Sequence, residues 1–80
     1  MIPRDVIAKR LLKLRGEKSR EEVARANGIS ASALAMYEIG ERIPRDEIKV
    51  SLAKYYGTTV EAIFFCKIST HNVNKTESEV

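Results

Sequence analysis

The architecture of this chain turns on Ser19-Arg20-Glu21-Glu22-Val23-Ala24-Arg25-Ala26-Asn27-Gly28-Ile29-Ser30-Ala31-Ser32-Ala33-Leu34-Ala35-Met36-Tyr37, which holds two helix starts and one break. Ser19 and Glu22 make a capping box: the serine oxygen can accept from the N–H of residue 22, and the Glu22 side chain can reach back to the N–H of residue 19. Val23 and Ala24 then carry the buried face. Asn27-Gly28 breaks the helix, because both residues tolerate a left-handed backbone. Ser30 is a second N-cap two residues later, and Leu34 and Tyr37, at i and i+3, give the next helix its inward face. A small Ala24 followed four residues on by Gly28 is what two helices need to cross steeply through a tight turn. The second helix passes over Ala24, and Gly28 must sit at positive φ. Residues 31, 32, 35 and 36 are left on the outer face, free to enter a major groove.

Helices also flank this pair. Ile7, Leu11 and Leu14 recur at i, i+4 and i+7 from Pro3 to Leu14, with Lys9, Arg10 and Lys13 off the stripe, which predicts an amphipathic first helix ending at Gly16. Arg4, Lys9, Arg10 and Lys13 read as a solvated face. Gly40 stops the third helix. After Pro44, Asp46-Glu47 place acid in the first turn of a fourth, with Ile48, Leu52, Tyr55 and Tyr56 at helical spacing before Gly57. Thr59 caps a short fifth helix holding Val60, Ile63 and Phe64. The expectation is an all-α, compact five-helix domain over residues 1–65 and a polar, flexible tail over 66–80. Leu34, Tyr37, Ile48 and Phe64 should be core. Phe64, Phe65 and Ile68 form an apolar end that is either buried or a dimer seam.

Eighty residues exclude two independent cores, and 44% hydrophobic with 31% charged residues is ordinary for a folded globular domain. The net charge is +3, and residues 1–25 hold eight basic against four acidic side chains, the footprint of a polyanion binder. The chain has no apolar run long enough for a membrane span, and Met1-Ile2-Pro3-Arg4-Asp5 lacks a signal peptide's apolar region, so it reads as cytoplasmic. A lone Cys66 and a lone His71 fall short of a metal site, and Cys66 reads as a small apolar residue closing a core. Neither a Gly-rich phosphate loop nor paired acids flanked by apolar sequence is present, so the chain reads as a non-enzyme without a cofactor.

Ser19 to Ala24, Gly28-Ile29-Ser30, Met36-Tyr37-Glu38-Ile39-Gly40-Glu41-Arg42-Ile43-Pro44 and Tyr56-Gly57-Thr58-Thr59-Val60-Glu61-Ala62-Ile63-Phe64 together resemble the phage-repressor (Cro/Xre-type) helix-turn-helix family. The likeness runs in register over roughly residues 5–65. Leu14-Arg15-Gly16-Glu17-Lys18 and Pro44-Arg45-Asp46-Glu47-Ile48-Lys49 are similar to repressors of Gram-positive prophages and mobile elements. The resemblance implies a lambda-repressor-like fold, a double-stranded operator as partner, a homodimer, and RNA polymerase or an antirepressor as further partners. The implied activity is a nucleoid-associated transcriptional repressor. The alternatives are a helical interaction module such as an antitoxin or adaptor, and a controller protein that activates transcription.

Residue by residue, the resemblance puts Ala31, Ser32, Ala35 and Met36 on the base-reading face and Arg20, Ser30, Gly40, Arg42 and Arg45 on phosphates. It makes Arg15 and Glu38 a structural ion pair joining the first helix to the end of the third. Two residues depart from the family pattern. Asn27 replaces a leucine, which should weaken packing beneath the turn, and Ile39 replaces a polar asparagine at the helix end. With Ser32 the one hydrogen-bonding side chain among the four readers, bidentate base reading is out of reach, and contacts with thymine methyls plus DNA shape are expected.

Overall fold

The computed structural model describes residues 2–66, over which the chain forms α1 (Arg4–Arg15), α2 (Arg20–Ala26), α3 (Ala31–Glu38), α4 (Asp46–Tyr55) and a short α5 (Glu61–Phe65) wound with π-type bonding. The tail from residue 67 onward, with Ile68 and His71, lies outside the described residues. Local chemistry sets the helix ends. Ser19 Oγ accepts from the Glu22 N–H (3.0 Å), Ser30 Oγ from the Ala33 N–H (3.0 Å) and Thr59 Oγ1 from the Ala62 N–H (3.0 Å). Each such cap contributes about 1 kcal/mol. The Glu22 carboxylate sits 4.0 Å from Lys18 Nζ instead of closing the second half of the capping box.

The breaks after α2, α3 and α4 share one geometry. Gly28, Gly40 and Gly57 have φ of 69°, 83° and 70°, and the next residue's N–H turns back onto the helix: Ile29 to Ala24 O (3.0 Å), Glu41 to Met36 O (2.9 Å), Thr58 to Ala53 O (2.9 Å). This cap satisfies carbonyls the helix would leave open and reverses the chain within two residues. It lets α3 start close to the end of α2.

α2 packs on α3, and α1 packs on α3 and α5, around a core that includes Leu11, Val23, Leu34, Leu52 and Phe64. Ala24 is buried in the core with Leu34. Ile2 closes one end, its N–H donating to Phe64 O (3.2 Å). Several sequence expectations are corrected. Leu14 is 36% exposed, and the buried stripe of α1 is Ile7, Ala8 and Leu11, because α3 and α5 cover that side. Arg10 is not a solvated charge: its Nη1 donates to Ala62 O (2.7 Å) and ties α1 to α5. On α4, Lys49, Leu52 and Ala53 are buried while Ile48 and Tyr55, with Tyr56 at its C-cap, are only half-buried. Phe64 is core, Phe65 is exposed, and Cys66 is half-buried at the chain's turn out of α5.

Asn27 corrects a further expectation. It is buried, and its Nδ2 donates to Val23 O (2.8 Å) while its Oδ1 accepts from Ser51 Oγ (2.6 Å). Instead of weakening the packing beneath the turn, it ties α2 to α4 with satisfied polar contacts.

A Cβ on Gly28 would meet nothing within 4 Å, so its substitution tests backbone conformation alone. Gly28→Ala should lose about 1–2 kcal/mol in urea denaturation, and Gly28→Asn should lose less, since asparagine tolerates the left-handed region.

Candidate nucleic-acid interface

The inner side of α3 is spent on Leu34, Tyr37 and Glu38, all buried. At helical spacing this leaves Ser32, Met36 and Ile39 along the middle of the outer side, and all three are exposed, Met36 at 41% and Ile39 at 62%. Ala31 and Ala35 are half-buried on its flank, and Ala31 also packs against the core. The face is therefore low, apolar and open, with Ser32 and Ser30 as its hydroxyl groups. The sequence places residues 31, 32, 35 and 36 on this side; Ile39, 62% exposed at the helix end, is added to it by the structure.

At the C-terminal end of α3, Glu38 has a fully buried side chain. Its Oε2 accepts from Arg15 Nε (2.8 Å) and its Oε1 from Arg20 Nε (2.9 Å). Arg15 also donates from Nη1 to Lys18 O (2.7 Å), so it crosslinks the α1–α2 turn as well. Charge-assisted bonds to both oxygens satisfy a carboxylate that would otherwise be costly to bury. The family resemblance assigns Arg20 to phosphates; the structure adds its bond to Glu38 as a second role. Its side chain remains 38% exposed, and its Nη groups have no partner among the described residues. The bond to Glu38 brings this cation to the end of α3, next to the Ile39–Arg42 loop.

In that loop, the Glu41 and Arg42 N–H groups converge on Met36 O (2.9 and 3.3 Å), and the Gly40 N–H faces Tyr37 O at 3.4 Å. These donors are turned toward α3, which leaves the exposed Arg42 side chain as the loop's outward cation. Arg4 Nη1 meets Glu41 O at 3.4 Å and steadies the loop from α1. Arg45 caps α4 through its backbone, with an exposed side chain. Lys49 is a basic residue the sequence reading did not single out. It lies buried between the Phe64 and Phe65 rings (5.6 and 5.4 Å), 3.5 Å from Asp46 Oδ1, and so serves the α4–α5 contact.

Tyr56 lies in the same neighbourhood as Glu38. Its hydroxyl is buried without a hydrogen-bond partner among the described residues. Burial pushes its pKa up from 10.0 to about 12, with the Glu38 carboxylate adding to the rise and Arg15 opposing it. Among the described residues, no group of three or more His, Cys, Asp or Glu side chains could hold a metal ion, and no helix is long and apolar enough to cross a membrane.

A family model described as a helix-turn-helix domain matches residues 10–63, more than half of the chain. The chain belongs to the helix-turn-helix domain family. Its fold is of the phage-repressor type. The crystal structure of the P22 c2 repressor in complex with synthetic operator 9T in the presence of Tl+ is 18% identical, with a TM-score of 0.73 over 75% of this chain and 94% of that one. The solution structure of the SOS-response transcriptional repressor LexA from Eubacterium rectale is 20% identical, with a TM-score of 0.77 over 98% of this chain and 86% of that one. No curated protein matches. Within the matched span, α2 and α3 pack on each other through the tight turn at Gly28.

Two outcomes follow from the ion-pair centre. Glu38→Ala should cost about 3–5 kcal/mol in urea denaturation, since two guanidiniums lose their shared partner. Tyr56→Phe should be neutral or stabilising by up to about 1 kcal/mol, because it removes an unpartnered hydroxyl. The Tyr56 phenol is harder to ionise in the fold than in the unfolded chain. Its ionisation therefore leaves stability unchanged below pH 10 and lowers it as pH rises from 10 toward about 12, where the unfolded chain gives up the proton first. Phenolate absorbance should show a titration step that late, and Tyr56→Phe should remove it.

Proposed function

We propose that this chain is a sequence-specific double-stranded DNA-binding transcriptional regulator, a repressor of a phage or mobile-element promoter, that lays α3 in the major groove. The observation that carries the reading is the open outer face of α3, with the half-exposed Arg20 and the exposed Arg42 beside its end and helix-turn-helix family membership behind it. A P22 c2 repressor of like fold has been solved with operator DNA, which supports the same use of this scaffold.

In this reading Ser32 and Met36 touch base edges, and Ala31 and Ala35 let the helix sit deep in the groove. Methyl-bearing side chains pack on thymine C5-methyl groups, and DNA shape supplies the rest of the preference. Arg20, Ser30, Arg42 and Arg45 hold phosphates, with Gly40 keeping the loop close to the backbone. The protein acts in the cytoplasm as a homodimer on paired half-sites, and a dimer seated over a promoter excludes polymerase. Phe65 offers an exposed apolar surface for the dimer seam.

Duplexes selected from genomic fragments provide the test. Arg42→Ala and Arg45→Ala should weaken binding on every sequence and lower the salt slope by about one each. Ser32 and Met36 substitutions should instead change the preference between duplexes by about 1–3 kcal/mol. Uracil in place of a contacted thymine should cost about 0.8 kcal/mol per methyl. Equal losses on all duplexes for Ser32 and Met36 variants, or indifference to uracil, would remove the base-reading role.

A further inference from the structure

We infer that Glu38 is a positioning residue for DNA binding: from inside the core it fixes the Arg20 guanidinium so that the Nη side of the group is held ready for a phosphate. The inference rests on the duplex-binding reading above and adds a mechanism to it. Arginine carries five N–H donors in a rigid planar fork. Glu38 Oε1 takes only the one on Nε, at 2.9 Å, and its other oxygen is committed to Arg15 at 2.8 Å. The buried carboxylate is thus anchored on α3 by packing and by Arg15, while Arg20 is the outer, 38% exposed member. The Nη groups have no partner among the described residues, so an anion can join them without displacing Glu38. Arg20 then bridges phosphate and carboxylate, and most of the rotamer freedom it would lose on binding is already lost in the free protein.

Two simpler roles make different predictions. If Arg20 acts only as a positive charge, a lysine would replace it, and removing the nearby Glu38 charge would tighten binding to a polyanion. If Glu38 acts only as a structural brace, its loss would weaken binding whether or not Arg20 is present. A lysine offers one nitrogen and cannot reproduce a planar bridge between two oxyanions.

The test is a double-mutant cycle read by duplex affinity, on a selected duplex and on a random one, with each protein's folded state checked by circular dichroism at the binding temperature. Arg20→Ala and Arg20→Lys should each weaken binding about three- to tenfold on both duplexes. Glu38→Gln should weaken it by a similar factor in the wild-type background and add nothing in the Arg20→Ala background. Arg20→Lys, altered at a half-exposed side chain while Arg15 still holds Glu38, keeps the test decisive even if Glu38→Gln proves unstable. Wild-type affinity in Arg20→Lys, tighter binding by Glu38→Gln, or an equal Glu38→Gln loss without Arg20 would each overturn the inference. Absence of saturable binding by the wild-type protein at low salt would instead overturn the duplex-binding reading itself.

Discussion

A carboxylate sealed from water between two guanidiniums is the constraint on which the arrangement of the first three helices depends. Glu38 is the last residue of α3, Arg15 the last of α1 and Arg20 the first of α2, so one buried acid gathers three helix ends. The hydrophobic core would tolerate small slides of one helix over another, since apolar contact is non-directional. Bonds of 2.8 and 2.9 Å to the two oxygens of a single carboxylate restrict such slides far more, because losing either leaves charge in a poorly hydrated place. The glycine caps supply the complementary control, fixing where each helix stops.

The same constraint determines what α3 shows to the outside. With Leu34, Tyr37 and Glu38 turned inward, the rotation of α3 about its axis is set, and Ser32, Met36 and Ile39 are left outward. The neighbouring alanines keep the profile low. Side chains this short allow close approach of the helix backbone to a partner, while they provide little hydrogen-bonding discrimination. The cationic groups sit around this face, not on it. In the proposed complex, affinity and register would come from the rim and sequence preference from shape and methyl contacts.

Much of the fold was legible because its signals are local. Ser19, Ser30 and Thr59 cap through their own next turn, and the glycines after α2, α3 and α4 need only a left-handed backbone, so each can be read without knowing the rest of the molecule. What escaped depends on partners far along the chain. Leu14 looks like part of a stripe until the side of α1 covered by α3 and α5 is known. Asn27 looks like a lost leucine until Ser51 meets it from α4. Arg10 looks solvated until the carbonyls at Ala62 and Ile63 are brought to it. Lys49 looks like a surface lysine because its aromatic neighbours lie one helix later. The roles proposed for individual phosphate contacts came from family likeness, since charge spacing alone does not distinguish an anion site from a solvated face. Arg20 belongs to both worlds, and only its contact with Glu38 reveals the inner half of its role.

The most direct test of the central claim is amide chemical-shift mapping by NMR as a selected duplex is titrated into the protein. The account predicts that the largest shifts fall on Arg20, on residues 30–36 and on residues 39–42, while the α1–α5 contact around Arg10 stays still. Shifts concentrated on the opposite side of the molecule, or no shifts at all with duplex in excess, would contradict it.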